Sequence, residues 1–274
     1  MANQAKKIAK WLVGIFLGIL ASIFLLYAFL IGPFVPGNAK KYSVAHTEQL
    51  ADSPLSGRTL FFLGSSVTAG LASENESFVD YIRKRNHCYC VKEAKSGTTL
   101  MDNGKQSYVE RIKKFDTQSK VDAFLCQLST NDTRYHGLDK IGAVSKSTNS
   151  NDFDKTTTIG AIEYIISYAR ETWNCPVIFY TNTYFEDKNY AVLVNKLYEI
   201  KEKWNIEIID LYNDKNLNNI PADSMRLYML FDQVHPHKAG YQLWWTPAIE
   251  KRLYEIIGTT NATSYRSENY QLEI

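Results

Sequence analysis

Among 274 residues there are only four cysteines, seven prolines and fourteen glycines. So few cysteines exclude a small fold stapled by a disulfide framework, and so little proline and glycine excludes collagen-like and low-complexity chains. Neither sign of charge dominates, because 31 lysines and arginines face 29 acids for a formal net charge of +2. The basic residues are scattered, so the positive stripe that marks a nucleic-acid binder is missing and no nucleic-acid partner is expected. What remains, 45% hydrophobic and 22% charged, is one ordinary globular domain with an appendage, long enough to bury a sizeable core.

Long apolar runs are missing too, with one exception. From Trp11 to Ile31 no residue is charged, and at 1.5 Å per residue such a helix crosses a hydrocarbon core of roughly 30 Å. Residues 11–32 are therefore expected to be a transmembrane signal anchor. Lys6, Lys7 and Lys10 favour a cytoplasmic N-terminus over residues 1–10, although Lys40 and Lys41 beyond the helix blunt the asymmetry. The reading is a single-pass protein of the cell membrane with an extracytoplasmic domain. A cleaved signal peptide would show an apolar stretch of only about 7–15 residues and then a small-residue cleavage site, which Tyr27 to Phe34 does not offer. Gly32, Pro33, Pro36 and Gly37 end the helix and open a linker over residues 33–57. Residues 258–274, rich in Thr, Asn and Ser, read as a disordered or loosely docked tail.

Over residues 58–257 apolar runs alternate with amphipathic stretches. Strands are expected at Thr59–Leu63, Cys88–Lys92, Val121–Leu128, Val177–Thr181 and Ile206–Asp210. Between them Ile159, Ile162, Ile166, Ala169 and Trp173 recur at helical steps, as do Leu193, Leu197, Ile200 and Trp204. Strands apolar along their whole length are covered on both faces, so the fold class is α/β: a three-layer α/β/α sandwich, flavodoxin-like, with a five-stranded, mostly parallel sheet.

An extracytoplasmic domain has access to disulfides, so the cysteines need placing. Cys88 and Cys90, two apart on one strand, point to the same face and are poorly placed to bridge one another. Cys126 and Cys175 fall at opposite ends of a parallel sheet, so four reduced, buried thiols are expected. A zinc site from His87, Cys88, Cys90 and another cysteine would rest on a lone C-x-C, a weak signal.

In a parallel sheet, ligands gather where strands end at their carboxyl side. The first strand runs into Gly64-Ser65-Ser66-Val67-Thr68-Ala69-Gly70, where the glycines permit a tight strand-to-helix turn with an exposed amide. The second runs into Ser96-Gly97-Thr98-Thr99 and the third into Ser129-Thr130-Asn131-Asp132. Near the end of the chain stands Asp232-Gln233-Val234-His235-Pro236, with a histidine three residues after an aspartate able to orient it. Singly these are a helix cap, a turn glycine, an Asx turn and a surface histidine. Together they supply a nucleophile, a base with an orienting carboxylate, and amide donors.

In that order the four blocks resemble the SGNH/GDSL hydrolase superfamily of esterases, lipases and acetylhydrolases, here as a membrane-anchored bacterial member. The resemblance spans about residues 58–257, and Asp232–Pro236 followed by Gly240-Tyr241 is its most specific part. It implies Ser66 as nucleophile, His235 as base, Asp232 as the residue holding the imidazole, and an oxyanion hole from the amides of Ser66 and Gly97 and the side chain of Asn131. The chemistry it implies requires no metal and no organic cofactor. Ser65 stands where the family has an aspartate, and Ser129 where it has a glycine. His136 and His237 are expected on the rim or surface, and Asp132 is expected to shape its own loop.

A long polar stretch between Tyr135 and Thr158, with Ser145–Asp152 at its centre, is expected to be a binding loop. Tyr228, Phe231, Tyr241, Trp244 and Trp245 have helical spacing and are expected to pack the core rather than stack on sugars. With no long apolar run to cover a fatty chain, the expected substrate is a short acyl ester, acetyl first, on a carbohydrate such as an acylated surface polysaccharide. The rival readings are an O-acyltransferase of the cell envelope, a lipase or lysophospholipase, and a non-catalytic envelope binding module.

Overall fold

The computed structural model describes residues 2–258. The expected tail lies, beyond Gly258, outside the described residues. In chain order the elements are α1 (Ala2–Leu30), β1 (Thr59–Gly64), α2 (Ser66–Ala69), α3 (Phe78–Asn86), β2 (Tyr89–Ala94), α4 (Tyr108–Arg111), β3 (Ala123–Gln127), α5 (Thr130–His136), α6 (Thr158–Trp173), β4 (Val177–Tyr180), α7 (Lys188–Trp204) and β5 (Glu207–Ile209). After the last strand come α8 (Lys215–Asn218), α9 (Ala222–Tyr228), α10 (Lys238–Gly240), a π-helical turn at Tyr241–Trp245 and α11 (Thr246–Leu253).

The five strands pair in the order β2-β1-β3-β4-β5, every pair parallel. This is the doubly wound sheet expected from the sequence, and all five strand positions are as read, to within a few residues. Right-handed crossovers then divide the helices between the faces. On one face α3 packs on α11 and on Tyr241–Trp245; on the other α4 packs on α6, and α6 on α7. Strand β1 shows why its whole run is apolar. Phe61 stacks on Phe115 and meets Trp173 edge-on, while Phe62 turns to Phe78 on the opposite face. Each such side chain contributes roughly 1.5–3 kcal/mol by leaving water.

The helix ends are written locally. Asp187 caps α7 by accepting from the amides of Asn189 and Tyr190, and Asn205 closes it with φ of 46°. Thr157 and Asn174 do the same for α6, so the apolar stripes noted in the sequence become buried faces between defined ends. Four free thiols are present, three buried and Cys90 half-buried, with the sulfurs of Cys88 and Cys90 3.5 Å apart.

In α1, Lys6–Leu30 is long and apolar enough to cross a membrane, a test that a secretory signal near an N-terminus also meets. Residues 33–57, expected as linker, are docked rather than free: three short 3-10 turns run over Pro36–Asn38, Lys40–Tyr42 and Val44–His46, and Asn38 is buried. The serine- and asparagine-rich stretch also departs from expectation. Lys203 near the end of α7 donates to the carbonyls of Ser145 and Ser147, and Glu163 of α6 accepts from the Ser145 amide. These bonds stitch it to the flank of the helix layer.

Candidate active site

All four sequence blocks converge at the carboxyl ends of the central strands. Strand β1 delivers Ser66 to the first position of α2, and Ser65 before it makes no capping bond with its side chain. The first amides of that short helix are therefore left pointing outward. Among the described residues, the N–H groups of Ser66 and Gly97 have no protein acceptor. Gly97 has φ of +75°, a left-handed conformation that costs a residue with a Cβ about 1–2 kcal/mol.

His235 Nε2 lies 2.7 Å from Ser66 Oγ, and His235 Nδ1 lies 2.6 Å from Asp232 Oδ2. The second carboxylate oxygen of Asp232 accepts from the amides of Val234 at 3.0 Å and His235 at 3.1 Å. These bonds hold Gln233 at φ of 58° and shape the turn so that the imidazole faces the serine. Asn182, beyond the end of β4, braces the same turn by donating to the Val234 carbonyl at 3.0 Å. Burial opposes ionisation of Asp232, yet the hydrogen bond and charge of His235 and the two amides outweigh it and hold its carboxyl below the ordinary value. A carboxylate that stays ionised beside Nδ1 keeps the proton on that nitrogen, leaving Nε2 free to take one from Ser66.

Asn131 sits in α5 with its Nδ2 donating to the Thr98 carbonyl at 2.9 Å. One of its two N–H bonds is spent on the Gly97 loop, and one remains. Ser129 caps α5 by accepting from the Asn131 amide at 3.1 Å. Asp132 is turned away and accepts from the amides of Leu100 and Met101, with burial pushing its carboxyl up to about 6. It ties down the loop that carries Gly97.

His237 is buried, not on the rim or surface as expected: its Nδ1 meets the Leu227 carbonyl at 3.2 Å, and burial lowers its pKa. His136 ends α5 beside Tyr135. Of the aromatic series, Tyr241, Trp244 and Trp245 are buried and Tyr228 stacks on Trp244, but Phe231 is 78% exposed. It stands on the rim beside Asp232, not in the core. Among the described residues no cluster of three or more His, Cys, Asp or Glu side chains is placed to hold a metal.

Two residues that the sequence did not single out support this arrangement. Gln127, the last residue of β3, accepts with Oε1 from the Ser65 amide at 2.9 Å, the Ser65 hydroxyl at 3.3 Å and the Thr68 hydroxyl at 2.7 Å, gripping the turn around Ser66 from below. Arg111, wholly buried, donates to the Gly64 carbonyl at 2.8 Å, to the Thr98 hydroxyl at 2.9 Å and to the Glu93 carbonyl at 3.0 Å. It joins the ends of β1 and β2 to the loop of Gly97. The only available signal was a polar residue closing an apolar strand and an arginine inside a buried helical turn.

No family model and no curated protein sequence matches this chain. Solved structures do. A protein from Lactobacillus plantarum is 17% identical with a TM-score of 0.59, covering 73% of this chain and 98% of that one. A candidate GDSL-like lipase from Bacteroides ovatus is 16% identical with a TM-score of 0.54, covering 73% of this chain and 99% of its own. A family two carbohydrate esterase from Clostridium thermocellum, solved with cellohexaose, is 14% identical with a TM-score of 0.52, covering 76% and 67%. At these identities the likeness is one of fold, and it is the fold that the SGNH/GDSL resemblance implied.

Proposed function

We propose that the chain is a serine esterase whose nucleophile is Ser66. The observation that carries this is the continuous relay from Ser66 Oγ through His235 to Asp232, with links of 2.7 and 2.6 Å, beside two unpaired amides. As Ser66 Oγ bonds to the ester carbonyl carbon, its proton passes to His235 Nε2. The carbonyl oxygen, now an oxyanion, accepts from the amides of Ser66 and Gly97 and from the second N–H of Asn131 Nδ2. Collapse breaks the bond to the alcohol oxygen, which leaves with the proton from His235. Water then attacks the acyl-serine, gives its proton to His235, and the acid departs as that proton returns to Ser66 Oγ.

The preferred substrate on this reading is a short acyl group, acetyl first, on a carbohydrate or similarly polar alcohol. In its favour are the lack of a long apolar run in the sequence beyond the N-terminal helix and the fold shared with a carbohydrate esterase. The apolar helix α1 acts as a retained anchor with the catalytic domain outside the cell membrane, in keeping with the 25-residue span Lys6–Leu30 and the lysines at its start. The test is a series of aryl esters of increasing chain length given to wild type and Ser66→Ala. Acetate should be released fastest and only by wild type; equal rates in the two proteins would end the proposal, and a preference for long chains would overturn the short acyl group.

A further inference from the structure

The segment between the apolar helix and the sheet is built into the walls of the active site. Asn38 is its centre, 2% exposed. Its Nδ2 donates to the carbonyls of Ile31 at 2.9 Å, Gly32 at 3.2 Å and Ala72 at 2.8 Å, and its Oδ1 accepts from the Lys238 amide at 3.0 Å. Ala72 belongs to the loop that follows Ser66, and Lys238 to the helix that follows His235. One side chain therefore joins the end of the apolar helix to both loops of the relay. The neighbouring Gly37 is pressed so close that a Cβ there would lie 2.1 Å from the Leu227 carbonyl and 2.7 Å from His237 Cβ. Farther along, the Val44 amide donates to Glu76 at 2.9 Å and Tyr81 donates to the Tyr42 carbonyl at 2.7 Å.

These contacts bound a distance. The Leu71 amide donates to the Ser66 carbonyl at 3.0 Å, and Ala72 is the next residue. With standard bond lengths, Ser66 Oγ lies no more than about 20 Å from the Gly32 carbonyl, where the apolar helix has just ended. A domain of this size is about 40 Å across, so the strand ends that carry the site lie in its membrane-facing half. The rim there is not polar. Leu71 after Ser66, Tyr135 near Gly97, Phe231 beside Asp232 and Phe34 at the helix exit are all exposed. Tyrosine and phenylalanine at such a level are the residues that settle into a bilayer interface.

We propose that the enzyme acts on a short acyl ester carried by the polar head of an amphiphile held in the same leaflet as its own anchor. This rests on the esterase reading and on the retained anchor. Docking through Asn38 keeps Ser66 within about 20 Å of the helix end, beyond which lies a headgroup layer about 5–7 Å deep, so an ester on an anchored head group is presented to it at high local concentration. A free polymer must instead diffuse into a site that faces the membrane.

The full chain is reconstituted in phosphatidylcholine vesicles that also contain an acetylated dialkyl glucoside, and compared with enzyme vesicles mixed with separate substrate vesicles and with soluble acetylated methyl glucoside. Acetate release should be at least tenfold faster when enzyme and glucoside share a vesicle, and Asn38→Ala should bring that ratio towards one. Equal rates in shared and separate vesicles, or faster turnover of the soluble sugar, overturn the proposal. Fatty acid released from the phosphatidylcholine in place of acetate also overturns it, in favour of the membrane lipid itself as substrate. Failure to hydrolyse even an aryl acetate is a different result and removes the esterase reading. A second measurement needs no turnover: a fluorophore attached at Phe231→Cys should be quenched by lipids bearing a nitroxide head group, and the absence of quenching overturns the membrane-facing site.

Discussion

Replacing Arg111 by lysine tests whether the geometry around Ser66 is imposed from beneath. The guanidinium reaches the carbonyls of Gly64, Glu93 and Gln106 and the Thr98 hydroxyl, at 2.8 to 3.0 Å, from a fully buried position. A lysine ammonium presents three donors from a single point and cannot span acceptors arranged around a planar fork. At least two bonds are lost, each worth about 1.5–3 kcal/mol with a charged donor, so stability should fall by about 3–6 kcal/mol. For a domain near this size that is about 10–15 °C in Tm. The kinetic consequence is separate. Gly64 leads into Ser66, and Thr98 both follows Gly97 and holds Asn131 through its carbonyl, so Arg111 sets the proposed nucleophile against its proposed oxyanion donors. A misplacement of about 1 Å costs on the order of a hundredfold, and it should appear in kcat with KM little changed. Thermal melts and aryl acetate kinetics on the same preparation check both halves. A variant that melts lower but keeps kcat within twofold of wild type would show that Arg111 supports the fold alone, and the positioning argument would fail.

Asn131→Ala should reduce kcat by about 10²–10³-fold, the usual cost of one oxyanion donor, while removing its bond to Thr98 lowers stability by only about 1 kcal/mol; a large drop in Tm with kcat preserved would contradict it. Asp132→Asn tests the buried carboxyl. Burial raises its folded pKa to about 6, above an unfolded value of about 3.9, so the native state binds the extra proton between those limits. The contribution is fully present below about pH 4 and is lost as pH rises through 6, a change of about 2–3 kcal/mol. Subtracting the Tm profile of the asparagine variant from that of wild type should give a curve falling across this window, and a flat difference would refute the assignment.

The sheet was legible because its strands are buried on both faces: an unbroken run such as Leu60–Leu63 has few other uses, and its strand then fixes where the next loop opens. The relay was legible because Asp232 and His235 are near neighbours whose bond is local, and Ser66 has a glycine on either side of its turn. Gln127 and Arg111 were not, since their partners are backbone groups and short hydroxyls distant in sequence, Ser65 lying 62 residues from Gln127. Such contacts leave no period and no motif. Asn38 escaped for the same reason, with partners 34 and 200 residues away. The stretch Ser145–Asp152 misled because its polarity resembles that of a free loop, whereas its carbonyls are satisfied by Lys203, which belongs to a helix that comes later.

The two departures from the SGNH/GDSL pattern have local explanations that bear on the chemistry. Ser65 is fully buried, and both its amide and its hydroxyl turn to Gln127 Oε1. An aspartate at 65 would aim carboxylate oxygens at that same acceptor, so it is compatible only with an amide at 127 turned to present Nε2, an atom now buried without a partner. The residues at 65 and 127 are thus coupled by these hydrogen bonds in this chain. At 129 the serine hydroxyl accepts from the Asn131 amide and donates to the Thr98 carbonyl at 3.3 Å, two bonds that a glycine cannot make. The Thr98 carbonyl is therefore shared between Ser129 and Asn131. Ser129 thus holds the backbone of Asn131, and the Thr98 carbonyl alone holds its side-chain Nδ2. Glycine at 129 would remove the bond to the backbone and leave the side-chain bond in place. The serine in this chain therefore anchors the start of α5 and the loop of Thr98, and neither of these bonds reaches Ser66, His235 or Asp232.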